Sequence, residues 1–363
     1  MAKVSVILPT YQRNASGQLS QAIASVLNQS FSDLELFVVD DGSIDGSKDT
    51  IAQFCKEDAR VIHIRFEENV GIPALTTLKA FQRSSGEFIA WIFDDCRWHP
   101  CYLEKMVQAL DSHSDKGLAY ARCEALISDG NSQVFGSAFD AERLKECNYI
   151  ANVATIIRKE LFYSLGWYDP RILLLRNNDY DFLYRASQKT KFLFVEEILT
   201  SEEGISLPDS LGNVYALNIE LTKKMQSIDR IKELHPDHVE HCDPFALPAE
   251  IKLNKEEQEE YLYIILTFAF KKGRLDIVQN ISSLPNCPEL SDIICSQKNL
   301  YKWWFQKDNE KKLEQQQYIQ EQAEYIQQQA KLIRHFKSRS PYWLIRIACS
   351  RLFKKIKRWQ LIG

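Results

Sequence analysis

The stretch that most constrains the fold is GEFIAWIFDDCRWHP at residues 86–100. Phe88, Ile89, Ala90, Trp91, Ile92 and Phe93 form a nearly unbroken apolar run, which suits a central strand covered by helices on both faces. Asp94 and Asp95 follow at its carboxyl end, where open α/β sheets bind ligands. Adjacent carboxylates repel unless a cation or hydrogen-bond donors compensate them. The natural partner is therefore a metal, a ribose, or a polyphosphate with its metal. The plain alternative is a solvated strand-to-helix turn with Asp as a helix N-cap.

The residues before this stretch repeat one pattern. Lys3 to Thr10, KVSVILPT, reads as a buried strand, and Ser16 to Gln29 places Leu19, Ile23, Val26 and Leu27 on one helical face. Leu34 to Val39 is a second strand that runs into DDGSIDGSKDT, an acidic turn of Asp40, Asp41, Gly42 and Ser43 leading into a helix through Cys55. Val61 to Phe66 is a third strand and Pro73 to Arg83 a helix that ends before Gly86. Strands alternating with helices predict an α/β fold with a mostly parallel, doubly wound sheet.

With 363 residues, expect one main domain and an appendage. A net charge of −4 argues against bulk nucleic-acid binding, so no nucleic acid is expected among the partners. The nine cysteines form no CxxC pair, and their number is odd; reduced thiols in a cytoplasmic protein fit this better than a disulfide framework. The first apolar stretch ends at Pro9, too soon for a signal peptide. The longest apolar run, Tyr261 to Phe270, is about half the ~20 residues a membrane span needs.

Five motifs together resemble the inverting family-two glycosyltransferases, which have the GT-A nucleotide-diphospho-sugar transferase fold. They are VSVILPTYQR at 4–13, VVDDGSIDGS at 38–47, ENVG at 68–71, GEFIAWIFDDCRWHP at 86–100 and NNDYDFLYR at 177–185. The resemblance covers residues 1–205, in order and at matching spacing. It implies that Pro9, Thr10, Tyr11 and Arg13 wall a nucleotide pocket, with Asp40 and Asp41 at its base end and Asp41 accepting a hydrogen bond from the base. A carboxylate suits the N3–H of uracil or thymine and a tyrosine face suits stacking, which favours a UDP- or dTDP-sugar. The other reading of Asp40 and Asp41 is a plain Asx-turn.

The resemblance further implies that Asp94 and Asp95 lie near the ribose and diphosphate, with the last carboxylate of the motif binding Mn²⁺ or Mg²⁺. Aligned on Trp98 and Pro100, that last position holds Cys96, a poor ligand for hard cations. Three outcomes follow: Asp95 takes the metal, catalysis depends little on metal, or the chain is a non-catalytic relative. The first is the expectation. Thr76 and Thr77 stand where the family often has an Arg-Asn pair. Asp179 matches the general base of an inverting transfer and Asp181 its support, with Asn178 where a Glu is usual. The other reading of Asp179 is a helix N-cap.

Leu118 to Val134 reads as a hairpin around Asp129-Gly130, residues 135–150 as the acceptor-facing segment, and Ile150 to Leu165 as a strand, TII, and a short helix. Residues 206–254 read as a linker, in which His235, His238, His241 and Cys242 suggest zinc less than a solvated segment. Residues 255–308 read as a helical hairpin turning at Gly273. Residues 309–340 read as a Gln-rich helix in which Tyr318, Tyr325 and Leu332, and Ile319, Ile326 and Ile333, recur every seven residues. That period suggests a short coiled coil and a homodimer, or packing on the chain's own domain. From Lys331 onward there are ten Lys or Arg and no acid, interleaved with Trp343, Leu344, Ile347, Phe353 and Trp359. Residues 341–363 thus read as a basic amphipathic anchor on anionic lipid; RNA or a partner groove are the alternatives.

The expectation is a cytoplasmic glycosyltransferase, peripheral at the inner face of the membrane, that acts on a glycan or lipid-linked acceptor. The alternative is a degenerate relative that binds nucleotide sugar or glycan without turnover.

Overall fold

The computed structural model describes residues 1–126, 131–173, 177–203, 219–226, 232–246, 251–280 and 297–337. The chain divides into two compact units, Met1–Asp292 and Ile293–Gly363.

In the first unit β1 (Val4–Thr10), α1 (Gln18–Leu27), β2 (Leu34–Asp40), α2 (Ser47–Glu57), β3 (Val61–Arg65), α3 (Pro73–Arg83) and β4 (Phe88–Trp91) alternate as the apolar runs predict. Then come β5 (Cys96–Trp98), α4 (Tyr102–Asp111), β6 (Leu118–Leu126), β7 (Ser132–Phe135), α5 (Ala141–Glu146), β8 (Thr155–Arg158), α6 (Lys159–Leu165), α7 (Pro170–Leu173), α8 (Asn178–Ser187) and β9 (Phe192–Glu202). The described strands form one sheet in the order β3-β2-β1-β4-β8-β6-β9-β5, with β7 on β6. β1, β2, β3 and β4 are parallel; β8 runs antiparallel between β4 and β6, and β9 is parallel to β6. Only β5, β7 and β8 oppose the common direction, so the sheet is mixed but mostly parallel, as expected.

On one face of the sheet Val6, Leu8, Leu36, Val38, Phe88 and Ala90 pack with Leu19, Ile23 and Val26 of α1 and with Met106 and Leu110 of α4. On the other, Ile7, Ile89 and Trp91 are buried as well, as are Leu78 and Phe81 of α3. At ~25 cal/mol per Å² of buried apolar surface, a core of this kind fixes the strand ends rigidly. The strand ends are therefore where the chain can hold chemistry in register.

The strand read as Phe88–Phe93 ends at Trp91, and a turn at Asp94-Asp95 leads into β5. β5 then pairs antiparallel with β9, with Cys96 opposite Glu202 and Trp98 opposite Thr200. The hairpin of β6 and β7 forms as read; its turn at Asp129-Gly130 lies outside the described residues.

Beyond the sheet lie α9 (Ile219–Met225), α10 (Lys255–Lys271) and α11 (Leu275–Asn280). α10 opens on a capping box, Asn254 Oδ1 accepting from Glu257 N while the Glu257 carboxylate accepts from Asn254 N. In the second unit α12 (Gln297–Lys337) is a single helix of 41 residues. The side chains of its heptad positions and all of residues 338–363 lie outside the described residues. Among the described residues no helix is long and apolar enough to cross a membrane.

Candidate active site

Two loops at the carboxyl ends of β1 and β2 interlock. After β1 the chain turns at Gln12, a non-glycine residue with φ 54°, and Gln12 N donates to Ser43 Oγ at 3.0 Å. Asn14 N donates to Asp45 Oδ2 at 2.8 Å, and Thr50 Oγ1 to Asn14 Oδ1 at 2.7 Å. Left-handed backbone at a bulky residue costs of order 1–3 kcal/mol and persists only where its surroundings hold it. These hydrogen bonds hold Tyr11 and Arg13 in place.

The two aspartates at the end of β2 do different things. Asp40 is fully buried; it pairs with Arg65 of β3 and accepts from Ser43 N at 2.9 Å. Burial pushes its pKa up, but the nearby His63 ring, 3.8 Å away, the Ser43 hydrogen bonds and the Arg65 charge outweigh this and hold it below the usual carboxylate range. Asp41 faces the turn at 69–71, accepting from Val70 N and Gly71 N at 2.8 Å each and from Asn69 Nδ2 at 3.1 Å. Gly42, at φ +75°, allows this approach, since a Cβ there would sit 2.6 Å from the Glu68 carbonyl carbon. Burial raises the Asp41 pKa in spite of those donors and of the charge of Lys272.

The pair at the end of β4 lacks such neutralisation. Asp94 faces the Thr10 hydroxyl and Arg13, whose Nε lies 3.7 Å from its Oδ1. Burial and then the charge of Asp95 push Asp94 up to about 7, and Thr10 and Arg13 offset only part of this. The β5–β9 pairing adds a third carboxylate: Glu203 N donates to Asp95 O at 3.1 Å, which sets Glu202 beside Asp95. Burial and the charges of Asp95 and Asp179 push Glu202 up to about 7. Asp94, Asp95, Glu202 and Asp179 therefore share one field, although they lie on separate elements far apart in sequence.

Asp179 stands in the first turn of α8 and accepts from Asn148 Nδ2 at 3.2 Å. Asn148 belongs to the segment read as acceptor-facing. Asp181 is turned inward and is 1% exposed. Its Oδ2 takes Arg185 Nη2 at 2.9 Å, and Arg185 also donates to the carbonyls of Leu165, Gly166 and Trp167. This anchors α8 to the GWYDP turn and sets the position of Asp179. Cys96 is likewise inward, fully buried in the core with its Sγ 3.3 Å from Asp95 Oδ1. Thr76 and Thr77 are buried on α3.

Sequence reasoning missed Glu202, Asn148 and Lys272. All three depend on long-range packing and left no local mark.

Residues 5–162 match the model of Glycosyl transferase family 2. That stretch of the chain is thus similar to the family. Among curated relatives, the teichuronic acid biosynthesis glycosyltransferase TuaG of Bacillus subtilis, so named without an established activity, is 37% identical over 31% of this chain and 43% of its own length. The GalNAc(5)-diNAcBac-PP-undecaprenol beta-1,3-glucosyltransferase of Campylobacter jejuni is 32% identical over 36% of this chain and 41% of its own. The chain thus spans about two-fifths of the length of each of these relatives. A crystal structure of residues 1–349 of S. aureus TarS in complex with UDP-GlcNAc aligns with 85% of this chain and 92% of that one, at TM-score 0.51 and 15% identity. At that identity the likeness shows the fold alone, the GT-A type expected from the motifs.

Among the described residues no three His, Cys, Asp or Glu side chains form a ready-made metal cage. The donor set nonetheless fits a hard cation. Mg²⁺ and its like are held by one or two carboxylates with substrate phosphates completing the shell, and the adjacent Asp94 and Asp95 offer oxygen ligands of that kind. Cys96, facing the core, does not compete.

Proposed function

We propose that the chain is an inverting glycosyltransferase that moves a sugar from a UDP- or dTDP-sugar to an acceptor hydroxyl on a glycan or lipid-linked precursor. The observation that carries this is the convergence of carboxylates from the ends of β4, β9 and the start of α8, with Arg13 and Tyr11 beside them. Tyr11 offers its ring to the base, and Asp41 offers an acceptor to the base N3–H. Asp94 and Asp95 face the ribose and diphosphate, and Asp95, with Asp94 or Glu202, would hold Mn²⁺ or Mg²⁺. When bound, such a cation neutralises charge on the leaving diphosphate. Arg13 supplies a fixed positive charge on the same side.

Asp179 takes the proton of the acceptor hydroxyl. The hydroxyl oxygen bonds to the anomeric carbon as the bond to the diphosphate breaks on the opposite face. Asn148 orients the carboxylate, and the Asp181–Arg185 pair keeps α8 in place. A positioned base contributes about 10²–10⁴-fold. Asp179→Asn should therefore lose about that much turnover while nucleotide binding, read by calorimetry, is retained. Full activity in Asp179→Asn would remove it from this role. Wild-type protein that binds nucleotide tightly yet turns over no donor, with or without Mn²⁺, would establish the non-catalytic alternative.

The basic, Trp-containing sequence 341–363 supports attachment to an anionic bilayer. Deleting it should release the protein from vesicles containing anionic lipid; retention after deletion would refute the anchor.

A further inference from the structure

The helical segment after the sheet reaches back to the nucleotide loops. α10 lies against the turn that holds Asp41: a Cβ on Gly71 would be 3.3 Å from the Phe268 ring. Arg274, just past α10, directs Nη1 at Val70 O, 3.5 Å away. Between these contacts Lys272, the C-cap residue of α10, places its Nζ 5.3 Å from the centroid of the Tyr11 ring. It is half-buried, and its charge is felt at Asp41. Burial lowers its pKa and the Asp41 charge opposes this. An ammonium placed this way sits against one face of the Tyr11 ring, beside the carboxylate assigned to the base.

The chemistry of the two groups is complementary. Lys is donor-only and an ionised carboxylate acceptor-only. Asp41 has about four acceptor sites, and three are taken by the 69–71 turn, which leaves room for one N–H from a ligand. A donor and an acceptor side by side match an imide edge, C=O next to N–H, as in uracil and thymine. Cytosine has the same size and shape but presents NH₂ next to a bare ring nitrogen, which puts donor against donor and acceptor against acceptor.

We infer that Lys272 is a specificity-determining residue of the donor site, donating to the C4 carbonyl next to the N3–H that Asp41 accepts, so that the helical segment selects uracil or thymine over cytosine. This rests on the assignment of Asp41 to the base made above. It also makes the helical segment part of the donor site.

The test is calorimetric titration of the full chain with UDP and with CDP, for wild type and Lys272→Met, with the melting temperature of the unliganded proteins as the check on folding. A lost hydrogen bond to a charged donor is worth about tenfold to a hundredfold in affinity. Wild type should prefer UDP by at least about tenfold. Lys272→Met should weaken UDP by about that factor, change CDP little, and bring the two within about threefold. Equal weakening of UDP and CDP would mean that Lys272 serves the phosphates, and would overturn the inference. So would a UDP preference that survives in Lys272→Met, although Asp41 would keep its role. If wild type binds UDP and CDP alike, or binds neither, the assignment of Asp41 to the base fails, and the inference with it.

Discussion

Asp40-Asp41 and Asp94-Asp95 are the same dipeptide at the carboxyl ends of two parallel strands of one sheet, one strand apart. The first pair is neutralised by the protein itself: Arg65 and Ser43 hold Asp40, and the backbone donors of 69–71 hold Asp41. The second pair has Arg13 at 3.7 Å and a third carboxylate, Glu202, added beside it by β9. The difference teaches that an acidic dipeptide is not itself a site. What makes one is a deficit of positive charge, which a cation or a ligand must make up. The inward-facing Asp181 and the outward-facing Asp179 repeat this contrast within a single helical turn.

The sharpest way to break the comparison is at Cys96, where alignment would place a metal carboxylate and the structure places a core side chain. Burial, with the charges of Asp95 and Glu202, already pushes the Cys96 thiol well above its ordinary pKa. A carboxylate there would be buried without a partner, so Cys96→Asp should cost about 4 kcal/mol in chemical denaturation and bring no gain in Mn²⁺ affinity. A stable Cys96→Asp protein that binds Mn²⁺ more tightly would show that this turn faces the cleft.

Next in size is Asp40→Asn. Removing one partner of a buried pair leaves Arg65 uncompensated and should cost about 3 kcal/mol, with nucleotide affinity unchanged if Asp40 is structural. The pH dependence has a definite sign. The folded pKa of Asp40 lies below its ordinary value of 3.8, so its contribution is fully present above that value and is lost as pH falls through the lower, folded pKa. The gap in stability between wild type and Asp40→Asn should therefore close below about pH 4. A gap that stays constant down to pH 2 would mean that the pair contributes nothing through ionisation.

Much of the framework was legible because it is local. The alternation of β1 to β4 with α1 to α3 follows from apolar runs and helical stripes, and α3 begins at Pro73 and ends at Arg83 as read. What was not legible depends on partners far away in sequence. β9 was missed because Glu196 and Glu197 interrupt its apolar run, where the register against β6 shifts between Ala121 and Cys123. Without β9 there was no reason to set Glu202 beside Asp95. Asp40 and Asp41 are both buried, and Arg65, on the neighbouring strand, pairs with Asp40. Lys272 lies more than 200 residues from the loop it meets, and only the packing of α10 on the 69–71 turn brings it there.

The smallest effect separates the two dipeptides most cleanly. Asp94→Asn removes a like charge from a crowded carboxylate cluster and keeps a polar side chain next to Thr10 and Arg13. Relief of repulsion should leave the unliganded protein as stable as wild type or more so, by up to about 1 kcal/mol in urea unfolding. The equivalent change at Asp40 has the opposite sign. The proposed donor site also predicts that UDP with Mn²⁺ raises the melting temperature of wild type and that Asp94→Asn loses this rise, since a ligand stabilises only as far as it binds the folded state. If Asp94→Asn instead destabilised the unliganded protein as Asp40→Asn does, the second pair would be a structural turn like the first, and the cleft would have to be sought elsewhere on the sheet.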